Sequence, residues 1–280
     1  MHIEALKDKL SLTNDGALSL FFLGTGSAFT KSNYQTNLLV VKGKDHILID
    51  CGSLCSRAFK KYGLHIKNVD NFHVTHSHAD HTGGLEEVAF LNRYGANKKL
   101  RMYIEPEYKD ILWENTLKGG LAYGEESNGP NLTFDDYFTL AKVTPIKNSP
   151  RPFFEAKCGS INIKIFRTKH VPDKSGNWNN IFYSTGVVID DKAIFTGDTI
   201  FDKELINWLT SLYPSAQAFF HDCQFYKGGV HASYEELLTL PEELRKKMYL
   251  CHYGDNRKGF HPTKDGFAGF ARHGVYYIFD

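Results

Sequence analysis

His76-Ser77-His78-Ala79-Asp80-His81 places three imidazoles and a carboxylate within six residues, one residue after the apolar run Phe72-His73-Val74. Imidazole is a borderline ligand for zinc, iron and similar ions, and a carboxylate adds a harder oxygen donor. In extended backbone His76 and His78, two positions apart, leave on the same face and can grip one ion. Asp80 and His81 lie past the strand end, where Thr82-Gly83-Gly84 turns the chain, and can aim at a second ion. A solvated histidine-rich loop or tag would account for the histidines alone. The interior position and mixed composition of the stretch argue for metal instead.

Written as H-x-H-x-D-H, the hexad resembles the signature of the metallo-β-lactamase superfamily. That resemblance implies the α/β class and an αββα sandwich, two mixed β-sheets packed face to face and flanked by helices. It also implies one hydrolase domain over residues 1–280 and a dinuclear metal site at one edge between the sheets. It does not name a substrate.

Bulk composition narrows the partners. The 280 residues carry 33 Lys and Arg against 32 Asp and Glu, a net charge of +1. Lysine pairs such as Lys60-Lys61, Lys98-Lys99 and Lys246-Lys247 are scattered. A chain that grips a long nucleic acid by its phosphates shows a more concentrated basic footprint, so none is expected as a partner. The five cysteines are odd in number, and Cys51 and Cys55 lack the spacing of a disulfide framework, which suits reduced thiols and a cytoplasmic location. Met1 to Leu10 is charged and has no apolar signal core, and no apolar run reaches the roughly 18 residues of a membrane span.

Apolar runs at Leu18–Leu23, Leu38–Val41, Ile47–Ile49, Met102–Ile104, Phe138–Val143 and Ile161–Phe166 read as strands. Helical patterns occupy Leu54–Tyr62, the stripe Leu85, Val88, Ala89 and Leu91, and about Glu107–Leu117. Residues 118–137 are loop-rich, a lid or an insertion, with turn material at Gly119-Gly120 and Glu125–Pro130. Gly24-Thr25-Gly26 alone indicates only a tight turn. Asp50, ending a strand, is expected to orient a ligand. The second half repeats one arrangement, an apolar strand ending in a potential ligand. Ile161–Thr168 leads to His170, Ala193–Thr196 to Asp198, Ala218–Phe220 to His221-Asp222, and Met248–Cys251 to His252. Side chains at strand ends converge while the strands stay fixed, and α/β folds place their chemistry there.

The superfamily resemblance extends to these positions. It implies one metal held by His76, His78 and His170 and another by Asp80, His81 and His252, with Asp198 bridging. Zinc is the first expectation, and manganese or iron also fits such donors. The opening Phe22-Leu23-Gly24-Thr25-Gly26-Ser27-Ala28 is similar to that of the RNase Z-like phosphodiesterases. So is the series His221-Asp222, His231, His252, in which Asp222 would orient His231 to protonate the leaving oxygen. Asp80 would ligate and also accept a proton from the attacking water.

Two departures bear on the substrate. His170 and Asp198 are only 28 positions apart, too few for the tRNA-gripping arm that bacterial RNase Z carries there. Cys251-His252-Tyr253-Gly254-Asp255 also differs from the serine-arginine-tyrosine run usual in RNase Z. The resemblance therefore points to the cyclic-nucleotide phosphodiesterases of the branch, including the phage anti-Pycsar enzymes, which destroy cyclic pyrimidine messengers. Members of the branch commonly form homodimers. Trp178 and Tyr253 are candidates to hold the base by stacking. Open alternatives are an RNase Z-type tRNA 3′ endonuclease, a metal-dependent thioesterase or lactonase, a nucleotide-sequestering protein that does not cut, and a non-hydrolytic di-iron oxygen-binding protein.

Overall fold

Alternation along Leu18–Gly24 sets the layering. In the computed structural model, which describes residues 1–124, 129–172 and 177–279, this strand turns Leu20 and Phe22 to one side and Phe21 and Leu23 to the other. All four are fully buried, so both faces of the strand need apolar cover, which only an internal layer receives.

The chain opens with β1 (His2–Ala5), β2 (Leu18–Gly24), β3 (Asn37–Lys42) and β4 (Asp45–Ile49), followed by α1 (Cys55–Lys61) and β5 (Asn71–His73). Next come α2 (Ala79–Thr82), α3 (Leu85–Phe90), β6 (Leu100–Met102) and α4 (Pro106–Leu112). Two short helices, α5 (Lys118–Leu121) and α6 (Phe134–Tyr137), precede β7 (Phe138–Leu140). The second sheet starts with β8 (Val143–Pro145), β9 (Phe153–Cys158), β10 (Ile161–Arg167), β11 (Thr185–Ile189) and β12 (Ala193–Phe195). It continues through α7 (Lys203–Leu212), β13 (Ala218–Asp222), α8 (Tyr234–Leu238), α9 (Glu242–Arg245), β14 (Met248–Cys251) and β15 (Gly269–Phe270). The last strand, β16 (Val275–Phe279), returns to the first sheet.

Among the described residues each sheet has eight strands. The first runs β1-β16-β2-β3-β4-β5-β6-β7 and the second β15-β14-β13-β12-β11-β10-β9-β8. Both are mixed: β1 to β4 with β16 pair antiparallel and β4 to β7 parallel, while β8 to β12 pair antiparallel and β12 to β15 parallel. Between the sheets lie Leu20, Phe22, Val40 and Ile49 against Ile163, Val187, Phe195 and Phe220. Outside the first sheet, Phe59, Val88 and Leu112 from the helices cover Phe21, Leu39 and Leu48. Outside the second, Leu205, Leu209 and Leu237 cover Phe166, Ile194 and Leu250. The layers are therefore helix, sheet, sheet and helix, the αββα sandwich of the α/β class.

Some local expectations change. The strand expected over Phe138–Val143 is two strands in different sheets, joined by a corner at Ala141-Lys142. A short run of strand-forming residues does not itself mark a corner where one strand ends and the next begins. In the second half, helices alternate with strands only from β12 onward. Upstream the strands form a meander, whose β11–β12 turn places Asp190 and Asp191 both in left-handed backbone, at φ of 47° and 56°. The helix expected to Leu117 is α4 followed by a π-helical turn, Trp113–Leu117. Of the turn expected at Glu125–Pro130, residues 125–128 lie outside the described residues. No helix among the described residues is long and apolar enough to cross a membrane.

Candidate metal centre

β5 ends at His73, and a bridge between His76 and Ser184 pins the segment before it bends at Ser77 and His78. His76 and His78 still converge, with Nε2 of His76 3.0 Å from Nδ1 of His78. The one-turn helix α2 then swings Asp80 and His81 inward. Its approach is fixed by the Cys51 N–H, which donates to the His81 carbonyl at 2.7 Å.

The second sheet supplies the other side. β12, β13 and β14 are adjacent and parallel, so the residues at their C-terminal ends, Asp198, Asp222 and His252, emerge side by side. Gly197 makes the last step to Asp198 possible. Its φ is 59°, and a Cβ there would run into the Thr185 carbonyl. His252 itself has a φ of 57°, a conformation that costs a histidine on the order of 1–3 kcal/mol and persists only where packing and hydrogen bonds impose it.

These elements bring the seven ligand candidates together. His76, His78 and His170 form one group, with His170 Nε2 3.1 Å from His78 Nδ1. Asp80, His81, Asp198 and His252 form another. Asp80 Oδ2 lies 3.2 Å from His81 Nε2 and 3.1 Å from His252 Nε2. Asp198 Oδ2 stands between the groups: 3.2 Å from His252 Nε2, 3.4 Å from His81 Nε2, and 3.8 Å from the Nε2 atoms of both His76 and His170.

Surrounding groups set the rings. The Asp50 carboxylate accepts from His81 Nδ1 at 2.7 Å and from the Thr75 N–H at 2.7 Å. His170 Nδ1 is 3.0 Å from the Val230 carbonyl. With their Nδ1 atoms engaged, His81 and His170 direct Nε2 at the cluster, the tautomer a metal ligand needs. Asp222 accepts from His231 Nδ1 at 2.8 Å and from the Thr199 N–H at 3.0 Å, and its other oxygen lies 3.4 Å from His252 Nδ1.

The donor set fits a pair of divalent cations. His81 Nε2 is buried, faces two carboxylates and has no hydrogen-bond partner. Three imidazole nitrogens of the other group point at one another, an arrangement N–H···N bonds alone cannot satisfy. Burial holds the pKa of His76, His78 and His170 below the usual imidazole value, keeping them in the neutral form that ligates. Burial also opposes charge on His81, but Asp198, Asp50 and Asp80 outweigh it and raise that pKa. Asp198 is held well below the carboxylate range: burial pushes it up, and His252 and His81 more than offset this. The carboxylates facing His81 and His252 supply negative charge that a cation would balance.

Trp178 and Tyr253 make their contacts away from this cluster. The Trp178 ring lies against the guanidinium groups of Arg151 and Arg167, at 5.4 and 5.6 Å. The loop expected to present it, Asp173 to Gly176, lies outside the described residues. Tyr253 is 5 % exposed, and its hydroxyl is engaged by Thr25 at 2.8 Å and the Ala271 carbonyl at 3.0 Å. Among the described residues, Phe182 does reach the site, stacked on His78 at 4.9 Å and 23° and edge-on to His76 at 5.8 Å. Nothing in Asn179-Asn180-Ile181-Phe182 marks it in the sequence.

Residues 18–277 match the protein family described as anti-Pycsar protein Apyc1. The chain belongs to that family. Apyc1 of Bacillus phage 010DV004 is 38% identical over 268 residues, covering 93% of this chain and 98% of its own. Apyc1 of Paenibacillus sp. strain J14 is 33% identical over 261 residues, covering 93% and 99%. Among solved structures, the metallo-beta-lactamase fold protein YhfI of Bacillus subtilis aligns with a TM-score of 0.66 at 16% identity, over 94% of this chain and all of its own. Human tRNase Z, short form, aligns at a TM-score of 0.59 and 16% identity, over 92% and 98%. These likenesses show that the Apyc1-family chain has the metallo-β-lactamase fold.

Proposed function

We propose that this chain is a dinuclear-metal phosphodiesterase that opens 3′,5′-cyclic nucleotides to linear monophosphates. The observation that carries the proposal is the His231–Asp222 pair beside the seven-residue cluster. A P–O bond to ribose breaks with a poor alkoxide leaving group, and a positioned imidazolium helps most in that step. Carbonyl attack on a thioester or lactone needs such an acid less. Membership of the Apyc1 family supports a cyclic nucleotide as the substrate.

His76, His78 and His170 would hold one ion, and Asp80, His81 and His252 the other, with Asp198 shared. Once bound, the ions would supply Lewis acidity, lowering the pKa of water toward neutrality and offsetting charge on the phosphoryl oxygens. Asp80 would also accept the proton of the attacking water. Asp222 would hold His231 through Nδ1, leaving Nε2 to protonate the departing ribose oxygen. Five imidazoles and two carboxylates favour zinc, with manganese or iron as substitutes. The two sheets contribute jointly to one site, so residues 1–280 would act as a single catalytic domain. A cytoplasmic homodimer is the expected setting, consistent with five free, buried cysteines.

The test is a panel of cyclic pyrimidine and purine nucleotides incubated with metal-reconstituted protein and separated by chromatography. Linear monophosphates should accumulate, and chelation should stop them. Cyclic nucleotides recovered intact after long incubation with fully loaded protein would end the proposal.

A further inference from the structure

At the opposite edge of the sandwich from the His/Asp cluster is a cavity of about 920 Å³. It opens where the chain crosses from β7 to β8, so the corner residue Lys142 forms part of its wall. The ends of β3 and β6, part of β9, the start of β10 and the β11–β12 turn also line it. Two candidate metal ligands, His170 and Asp198, follow the other ends of β10 and β12. Lys164 in this wall and His170 at the cluster are six positions apart, on the order of 20 Å at the rise of a strand.

Charge in the cavity is unbalanced. Its lining includes Lys42, Arg101, Lys142, Lys157, Lys164 and Lys192, against Glu155, Asp190 and Asp191. Two of the acids are already engaged. Lys42 pairs with Asp190 and Lys164 with Asp191, each at 2.6 Å. The other Asp190 oxygen accepts from the Asn162 N–H at 2.8 Å, which fixes the wall. Among the described residues no carboxylate pairs with Arg101, Lys142 or Lys157. Cations gathered around a concavity repel one another unless an anion joins them, an effect that salt screens at the exposed Arg101, Lys142 and Lys157. Ala156, Ile163 and the nearly buried Tyr103 give the cavity an apolar floor, suited to a carbon skeleton beneath charged substituents.

We propose that this cavity binds a small organic anion carrying two or more phosphate or carboxylate groups, through Arg101, Lys142 and Lys157. The guanidinium of Arg101 would take two oxygens of one anionic group, and the two lysines would act as point charges on another. The site is separate from the metal centre and independent of the activity proposed for it.

Isothermal titration calorimetry of the metal-loaded full chain at low ionic strength tests this, with fructose bisphosphate, tricarballylate and uncharged fructose as probes. One or both anions should bind one-to-one and fructose should not, and the two anionic arms separate phosphate from carboxylate recognition. Binding should weaken at least about tenfold in K142Q/K157Q and in R101Q, weaken with added salt, and persist in D198N. The proposal is overturned if neither anion binds, if the cavity variants bind as tightly as the native chain, or if D198N alone abolishes binding. A switch of K142Q/K157Q from dimer to monomer in light scattering would also overturn it, since the cationic surface would then be a subunit interface.

Discussion

Nδ1 of His231 lies 2.8 Å from Oδ2 of Asp222, and the same imidazole stacks on His252 with 4.9 Å between ring centroids. Burial works against charge on His231, but Asp222 and Asp198 prevail and its pKa is raised, which favours an imidazolium near neutral pH. An acid is needed in proportion to the basicity of the leaving group. His231→Ala should therefore slow turnover of a cyclic nucleotide by about 10²–10⁴-fold, while hydrolysis of bis-p-nitrophenyl phosphate, which expels a stable phenolate, changes far less. Metal content, measured by mass spectrometry, should not change. Equal losses on both substrates, or loss of metal, would remove His231 from the acid role.

Asp198 and Asp50 should differ in how many ions they control. The Asp198 carboxylate stands within 3.8 Å of four ring nitrogens drawn from both groups, so Asp198→Ala should leave neither ion tightly held. Asp50 touches only His81 among the ligand candidates. Loss of such an orienting carboxylate typically weakens metal binding by about 10–100-fold. Dialysis of Asp50→Asn against graded chelator should therefore strip one equivalent well before the other. Simultaneous loss of both would show that the two groups do not bind independently.

What was legible in the sequence follows the range of the interactions involved. The hexad needs only six contiguous residues to bring its donors together. His170, Asp198, Asp222 and His252 each close an apolar strand, so their convergence follows once the strands are layered. Phe182 reaches His78 only through a fold that joins positions 104 residues apart, and no local pattern announces that meeting. The corner at Ala141-Lys142 is equally silent, because only two residues separate the strands and neither is a glycine or proline. β16 is the same kind of case. Val275-Tyr276-Tyr277-Ile278-Phe279 is apolar at every position, and nothing in it says that the strand slots between β1 and β2.

Phe182 covers the other ion's ligands. It stacks on His78 and lies edge-on to His76 and His170, restricting the rotamers of a half-exposed imidazole. Phe182→Ala should loosen His78 and weaken the ion held by His76, His78 and His170, the converse of Asp50→Asn. Phe182→Leu keeps apolar cover without the stacked ring and should fall between the two. Chelator titrations of all three variants, read as equivalents retained, would show this order. A Phe182→Ala protein that keeps both ions as firmly as the native chain would limit Phe182 to packing or to contact with substrate.

His46 offers a stability test remote from the metals. Its Nε2 accepts from the Asp70 N–H at 3.2 Å, and the residue is buried. Burial lowers its pKa, with the Asp70 carboxylate only partly countering, and a proton on Nε2 would also cost the hydrogen bond. The unfolded chain, whose histidine titrates near about 6.5, therefore binds that proton more readily than the folded one. The sign follows: His46 favours the folded state fully above about pH 6.5, and the contribution is lost as pH falls below that value toward the depressed folded pKa. His73 and His221, also buried and lowered, act in the same direction. The melting temperature should fall on acidification, and less steeply in His46→Gln, whose side-chain oxygen can accept from Asp70 without titrating. Comparing the two proteins in the same metal-loaded state cancels the ligand histidines. Parallel curves for both would mean that the folded chain accommodates the His46 charge after all.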